Sequence, residues 1–298
     1  MKCCCFGSLN MDHIYRVAEF VQPGETRKVT ALNHVCGGKG LNQSLALAAG
    51  GAQVLPAGNV GDNADGDHLA AALAARGLDT GLVRRLPDCE CGHGIIQVTD
   101  RGENCILYYA GANERVDARQ IDEVLSYLDP GDLLVLQNEI NDPLTLVRAA
   151  KARGRRVALN PSPCNALITP ALLSLVDILF VNEVEARQLA GPADADEAAG
   201  AALHARYPGA LLVQTLGARG AVAFQGDAVY QQPAFPVQAV DTTAAGDTFT
   251  GFFLSAWMAG GDLPACLRLA ARAAALCVTR LGASVSIPSL AEVQAWQG

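Results

Sequence analysis

From Val54 onward the chain alternates short apolar runs with helical stretches, and this order limits its fold more than any other feature. Residues 54–58 read as a strand and 67–76 as an alanine-rich helix. Further strands are expected at 132–137, 156–160 and 178–181, then from 211 into a glycine turn at 220, and at 221–224. Helices are expected at 143–153 and 170–175, with a last one from 267 to about 280. Such β-α repetition predicts a mainly parallel sheet with right-handed crossovers, flanked by helices. Residues 2–9 supply a first strand whose apolar run suits a sheet covered on both faces. Two segments break the pattern. Residues 13–36 alternate apolar and polar around Pro23-Gly24, and 92–109 form a strand pair around Asp100-Arg101-Gly102. Neither has a helix between its strands. Together they read as a small antiparallel β element standing off the main sheet. No repeat or linker divides the chain, so a single domain over 1–298 is expected.

Composition narrows the partners. Half of the 298 residues are hydrophobic and 17% are charged, enough for a sizeable core. The net charge of −8, without a basic run, argues against nucleic acid or an anionic membrane as the main partner. A phosphate-bearing ligand needs only local positive potential. No apolar run reaches the length that crosses a membrane. Ten cysteines without a recognisable secretory segment point to reduced, mostly buried thiols and a cytoplasmic setting. Cys3-Cys4-Cys5 act as small apolar residues of the first strand. Cys89 and Cys91 lack a second Cys or His pair at zinc spacing. Asp62 and Asp65 sit in a Gly/Asn loop that reads as a helix cap rather than an acidic metal site.

The chemistry concentrates in residues 241–253, Asp-Thr-Thr-Ala-Ala-Gly-Asp-Thr-Phe-Thr-Gly-Phe-Phe. Residues 235–240 before it carry the apolar weight of a strand end, and 252–258 after it read as a buried helix. Ala244, Ala245 and Gly246 therefore stand at a strand-to-helix turn, where small side chains let backbone approach a ligand. Free N–H groups at a helix start attract phosphate. Asp247 stands at the mouth of this anion hole. A carboxylate there is a poor partner for phosphate at rest, but a sensible general base for a hydroxyl about to attack one. A capped helix, with Asp247 on the positive end of its dipole, fits the same residues. Upstream, Gly37-Gly38-Lys39-Gly40-Leu41-Asn42 opens a helix running to about Gly50. Gly-Lys-Gly is not the Gly-Lys-Ser/Thr of a Walker A loop. Gly38 allows close backbone approach, while Lys39 and Asn42 offer donors to hydroxyls.

These two stretches, far apart in the chain, resemble the C-terminal and N-terminal signatures of the ribokinase family of carbohydrate kinases, the PfkB type. The resemblance covers nearly the whole chain. It implies a three-layer, ribokinase-like α/β fold and ATP-dependent phosphorylation of the primary 5-hydroxyl of D-ribose. Asp247 is then the base, with Ala244, Ala245 and Gly246 as the anion hole. Asn10, Asp12, Gly38, Lys39, Asn42 and Glu139 match positions that hold the sugar. On position alone, Asn10 and Asp12 would equally make a turn. Asn182, Thr215, Gly217, Arg219 and Gly246 match nucleotide positions, although Arg219 also reads as a solvated turn residue. Asn182 and Glu185 imply Mg²⁺ held through water, and the same pair reads as a capping box. Asp241, the Thr243 carbonyl, the carbonyls of Cys277, Arg280 and Gly282, and the Ser286 hydroxyl imply a K⁺ site. An ordinary helix C-terminus with a glycine stop fits that tail too.

In the family, the β element (about 13–36 and 89–112) is a lid over the sugar and often carries a homodimer contact, and Ala110-Gly111-Ala112-Asn113 re-enters the main body. Two departures stand out: Thr250 replaces the usual Asn, and Cys89, Cys91 and His93 surround the lid. Deoxyribose, another pentose, fructose or a nucleoside are the alternative substrates. A non-catalytic sugar-binding regulator would be favoured by loss of Asp247 or Gly246, and both are present.

Overall fold

In the computed structural model the described residues are 1–101, 103–191 and 196–298. The chain begins with β1 (Cys3–Phe6), β2 (Asn10–Val17), β3 (Ala31–Gly37) and α1 (Lys39–Ala49), then β4 (Val54–Gly61), α2 (Ala64–Ala74) and β5 (Leu82–Leu86). The hairpin of β6 (Gly92–Thr99) and β7 (Asn104–Tyr109) comes next; Gly102 of its expected turn lies outside the described residues. There follow α3 (Ala118–Ser126), β8 (Leu133–Gln137), α4 (Pro143–Ala152), β9 (Arg156–Asn160), α5 (Pro170–Leu173) and β10 (Ile178–Val181). After α6 (Glu183–Ala190) and α7 (Asp196–Arg206) come β11 (Leu211–Thr215), β12 (Ala221–Gln225) and β13 (Ala228–Gln232). Helices α8 (Ala245–Met258), α9 (Leu263–Cys277) and α10 (Leu290–Ala295) complete the chain.

The main sheet runs β13-β12-β11-β10-β9-β8-β1-β4-β5. Its strands are parallel from β5 to β11; β12 and β13 are antiparallel additions at one edge. Two apolar clusters cover its faces. Cys3 and Cys5 point into one with α1, α8 and α9, while Cys4 and Phe6 point into the other. Period-2 alternation on a doubly covered strand explains why all four residues of β1 are apolar and buried. The smaller sheet runs β3-β2-β6-β7. Its two hairpins are antiparallel, as expected, and they join through a parallel β2/β6 pairing, Asn10 opposite Gly92 and Asp12 opposite Gly94. Among the described residues no helix is long and apolar enough to cross a membrane.

Some expectations need correction. Residues 235–240 form no strand, and Pro233 and Pro236 remove backbone donors there. The turn at Ala244 is therefore loop-to-helix. The helix expected from 267 begins at Leu263, because Asp262 caps it by accepting from the Ala265 N–H at 2.8 Å and Pro264 suits its first turn. It is also not the last. Helix α10 follows, closed by a Ser289–Glu292 capping box. Strands β5 and β13 and helix α3 were not anticipated. The two arginines of Leu82-Val-Arg-Arg-Leu86 hide a strand, and α3 buries only Gln120, Ile121, Val124 and Leu125 of its nine residues. Asn63, not an aspartate, caps α2 by accepting from the Gly66 N–H at 3.0 Å.

Candidate active site

The site lies beyond the carboxyl ends of the parallel strands, where ligands bind in open α/β sheets. Helix α8 starts there from Ala244, whose φ of 60° and ψ of 8° are left-handed. For a residue with a Cβ this costs roughly 1 kcal/mol, and it aims the first N–H groups outward. One expected donor is engaged instead. The Ala245 N–H turns back to Thr242 O at 3.2 Å. Among the described residues, the N–H groups of Ala244, Gly246 and Asp247 find no protein acceptor. A cavity of about 230 Å³ opens in front of them, lined also by Lys39, Asn160, Asn182, Glu185, Thr215 and Thr250.

Asp247 is 6% exposed, and each of its carboxylate oxygens takes a side-chain amide from α1. Asn42 Nδ2 donates to Oδ2 at 3.1 Å and Gln43 Nε2 to Oδ1 at 2.9 Å. Helix α1 can present both because Gly38, at φ 90°, lets the chain turn within 2.8 Å of where a Cβ would strike Ser8 O. Asn42 Oδ1 is buried without a partner, an acceptor waiting for a donor. Burial works against the ammonium of Lys39, but Asp247, Glu139 and Glu185 together hold its pKa above the ordinary value. Glu139 follows the end of β8 and accepts from the Lys39 N–H at 3.2 Å and from the Ser8 hydroxyl. Burial pushes its carboxyl upward despite the Lys39 charge and these hydrogen bonds.

Asn10 and Asp12 project from β2. Asn10 Oδ1 accepts from Asn113 Nδ2 at 2.7 Å, and Asn113 Oδ1 accepts from the Leu9 N–H at 3.0 Å. Asp12 lies so close to Gly94 that a Cβ there would stand 2.8 Å from its Oδ1. Burial and the nearby Glu139 charge push the Asp12 carboxyl up to about 6. Behind it, His13 Nδ1 meets His34 Nδ1 at 2.8 Å, and the His93 ring packs against His13 and Tyr109.

Asn182 caps α6 in a full capping box. Its side chain accepts from the Glu185 N–H at 2.8 Å, and Glu185 Oε2 accepts from the Asn182 N–H at 3.0 Å. The capping box engages the single side-chain oxygen of Asn182 and one of the two of Glu185, and both residues still line the cavity. Thr215 lines it as well; Gly217 and Arg219 do not. The Arg219 guanidinium is engaged by Glu183 at 3.2 Å, Glu197 at 3.0 Å, and Asp196. The acidic faces of α6 and α7 hold it on the surface.

The expected cation residues gather below the anion-binding turn. Asp241 Oδ1 accepts from the N–H and hydroxyl of Thr243 at 2.9 and 2.6 Å, and Oδ2 from the Gly282 N–H at 2.9 Å. Partial burial opposes its charge, but these bonds hold its carboxyl below the ordinary range. Cys277 Sγ lies 3.7 Å from Thr243 O and 3.1 Å from Ser286 Oγ. The Cys277 carbonyl accepts from the Arg280 N–H at 3.1 Å. A carboxylate, carbonyls and a hydroxyl on irregular backbone are hard oxygen donors that fit an alkali cation. Among the described residues no group of three or more His, Cys, Asp or Glu is arranged to hold a metal.

Sequence reasoning missed Ser8, Gln43, Asn113 and Asn160.

The matched family model is that of pfkB family carbohydrate kinases, over residues 1–290. The chain is 35% identical to a ribokinase of Haemophilus influenzae, over 96% of this chain and 95% of that protein. It is 32% identical to a deoxyribokinase of Salmonella typhi, over 97% and 96%. The structure of Arabidopsis thaliana ribokinase complexed with ribose and ATP superposes with a TM-score of 0.89, at 31% identity, covering 98% of this chain and 97% of that one. With a mainly parallel sheet, a hairpin sheet at its carboxyl edge and a buried carboxylate at the start of α8, the chain belongs to the pfkB family of carbohydrate kinases.

Proposed function

We propose that this kinase transfers the γ-phosphoryl group of ATP to the primary 5-hydroxyl of D-ribose. The observation that carries the reading is Asp247, held by two amides beside unpaired N–H groups at the start of α8. Ribose lies under the smaller sheet. Asn10, Asp12, Asn42 and Glu139 take its secondary hydroxyls, and Lys39 reaches between sugar and phosphate. Asp247 accepts the proton of the 5-hydroxyl as that oxygen attacks phosphorus, and the N–H groups of Ala244, Gly246 and Asp247 hold the transferring group. Positioning and electrostatics carry such a reaction, since the transition state asks little covalent chemistry of the protein. Thr215 and Asn182 face the nucleotide. Asn182 and Glu185 would hold Mg²⁺ through water, where it offsets phosphate charge. The Asp241–Ser286 cluster would hold K⁺, which orders the turn that forms the anion site.

The smaller sheet acts as a lid that excludes water. Its Ile106 and Leu107, 53% and 66% exposed, support a homodimer contact through the lid. The setting is the cytoplasm, which keeps the free thiols reduced. The likeness to a deoxyribokinase favours 2-deoxyribose as a second reading. The two differ at one hydroxyl, within reach of Asp12 and Glu139 in this pose. ADP release with ATP, Mg²⁺ and K⁺ across ribose, deoxyribose, fructose and nucleosides decides between them. Asp247→Asn should spare sugar binding and lower kcat by roughly 10²–10⁴-fold. Turnover near that of the parent would remove Asp247 as the base.

A further inference from the structure

Gln43 is fully buried, yet every polar group of its amide is matched. Its Oε1 accepts from Gln137 Nε2 at 2.7 Å. Its Nε2 donates to Asp247 Oδ1 at 2.9 Å and, more weakly, to Asn160 Oδ1 at 3.4 Å. Asn160 is fixed in turn by donating to Phe180 O at 3.3 Å. These contacts allow one orientation. A flipped Gln43 would face Asp247 with its oxygen and Gln137 with its NH₂, setting acceptor against acceptor and donor against donor. Gln137, at the end of β8, is also fully buried, and its own amide fits only because Gly7 has no Cβ; one built there would fall 1.8 Å from Gln137 Oε1. Strands β1, β8 and β9 thus build a shell behind one oxygen of one carboxylate.

We propose that Gln43 is a positioning residue for Asp247, with Gln137 and Asn160 fixing the sense of its amide. The inference rests on the reading of Asp247 as the base. Asn42 sits beside Gln43 and donates to the other oxygen, but its own oxygen is buried without a partner, an acceptor left over. Gln43 has no such free group. Its chemistry is confined to Asp247. The amide therefore holds the carboxylate in one rotamer and fixes the direction of its oxygens, with no group of its own left for substrate.

The test is steady-state kinetics of the full chain on its pentose substrate from pH 5 to 9, for the parent, Gln43→Met, Gln137→Met, Asp247→Asn and the Gln43→Met/Asp247→Asn double variant. Loss of one hydrogen bond to a charged group predicts a kcat about 10–100-fold lower for Gln43→Met. The sugar KM should stay within about threefold, because Gln43 touches no substrate. Gln137→Met keeps Gln43 but frees its amide to rotate, so the same fall in kcat with an unchanged KM should appear at smaller size. In the double variant, Gln43→Met should add nothing to the loss from Asp247→Asn. A folded Gln43→Met with kcat within about threefold of the parent overturns the inference. So does an additive double variant. If Gln43→Met does not fold, Gln137→Met decides by the same split of kcat against KM. An Asp247→Asn variant that keeps full turnover overturns the base instead, and the two failures are told apart.

Discussion

Asp12→Asn should make the ligand-free enzyme more stable while removing its grip on sugar. The Asp12 carboxyl is pushed from 3.8 up to about 6 by burial and by Glu139. A carboxyl raised on folding stabilises the folded state fully below its unfolded pKa, and that contribution is lost as pH rises through about 6. Above that pH the fold carries the cost of an ionised Asp12. Two pKa units correspond to roughly 3 kcal/mol, and partial solvation of the site reduces this to about half. The amide removes the charge, and its oxygen can still accept from Gly94, the backbone partner of Asp12. At roughly 2–4 °C per kcal/mol, Tm at pH 8 should rise by about 4 °C. At pH 5 the parent is itself mostly protonated at Asp12, and the gain should shrink to about half. Differential scanning calorimetry of parent and variant at both pH values, without sugar, measures this directly. Calorimetric titration with the pentose should show binding weakened by roughly 10²-fold, the scale of a lost charge-assisted hydrogen bond. A variant no more stable than the parent at pH 8 would refute the reasoning, as would a gain of equal size at both pH values.

The same titration predicts that kcat/KM for sugar falls about fivefold from pH 6 to pH 5, with kcat at saturating sugar flatter; a pH series on free-enzyme kinetics checks it. Gly94→Ala would place a Cβ 2.8 Å from Asp12 Oδ1 and should raise the sugar KM by roughly tenfold with a smaller change in kcat. Glu185→Gln preserves the capping box, which accepts either residue. It should nevertheless raise the Mg²⁺ concentration for half-maximal rate by about tenfold, measured by metal titration. Exchanging K⁺ for a bulky organic cation should lower the rate, and Asp241→Asn should abolish that dependence. Arg219→Ala should leave the KM for ATP within about twofold and lower Tm only slightly, because its partners are surface carboxylates.

Legibility followed how local each cause is. The parallel strands could be read because burial on both faces makes runs such as Leu133–Gln137 and Ile178–Val181 nearly continuous in apolar residues. The hairpin sheet could be read because its segments lack a helix. Strand β5 could not, since it lies at an edge where Arg84 pairs with Asp117 and Glu123 and Arg85 with Asp67. In the site, Asp247, Lys39 and Asn42 were visible as short motifs. Gln43 was not, because its partners Gln137 and Asn160 come from distant strands. The surroundings of Arg219 were hidden for the same reason: the three acids that engage it lie on α6 and α7, outside the turn that carries it. The Ala245 N–H was lost to a backbone turn whose geometry depends on the left-handed Ala244.

The three consecutive cysteines of β1 give the enzyme a particular kind of lifetime. In the folded chain none is exposed, burial pushes the pKa of each thiol up, and the strand is paired on both edges. Oxidants therefore meet no thiolate there. An opened chain brings all three into water side by side, at an interior place in the strand order that every refolding event must restore. Sulfenic acids and mixed disulfides formed at that moment block the pairing of β1 with both β4 and β8. Loss of activity on heating in air is then one-way, and its half-life is set by how often the sheet opens and by the reductant present, not by the depth of the folding equilibrium.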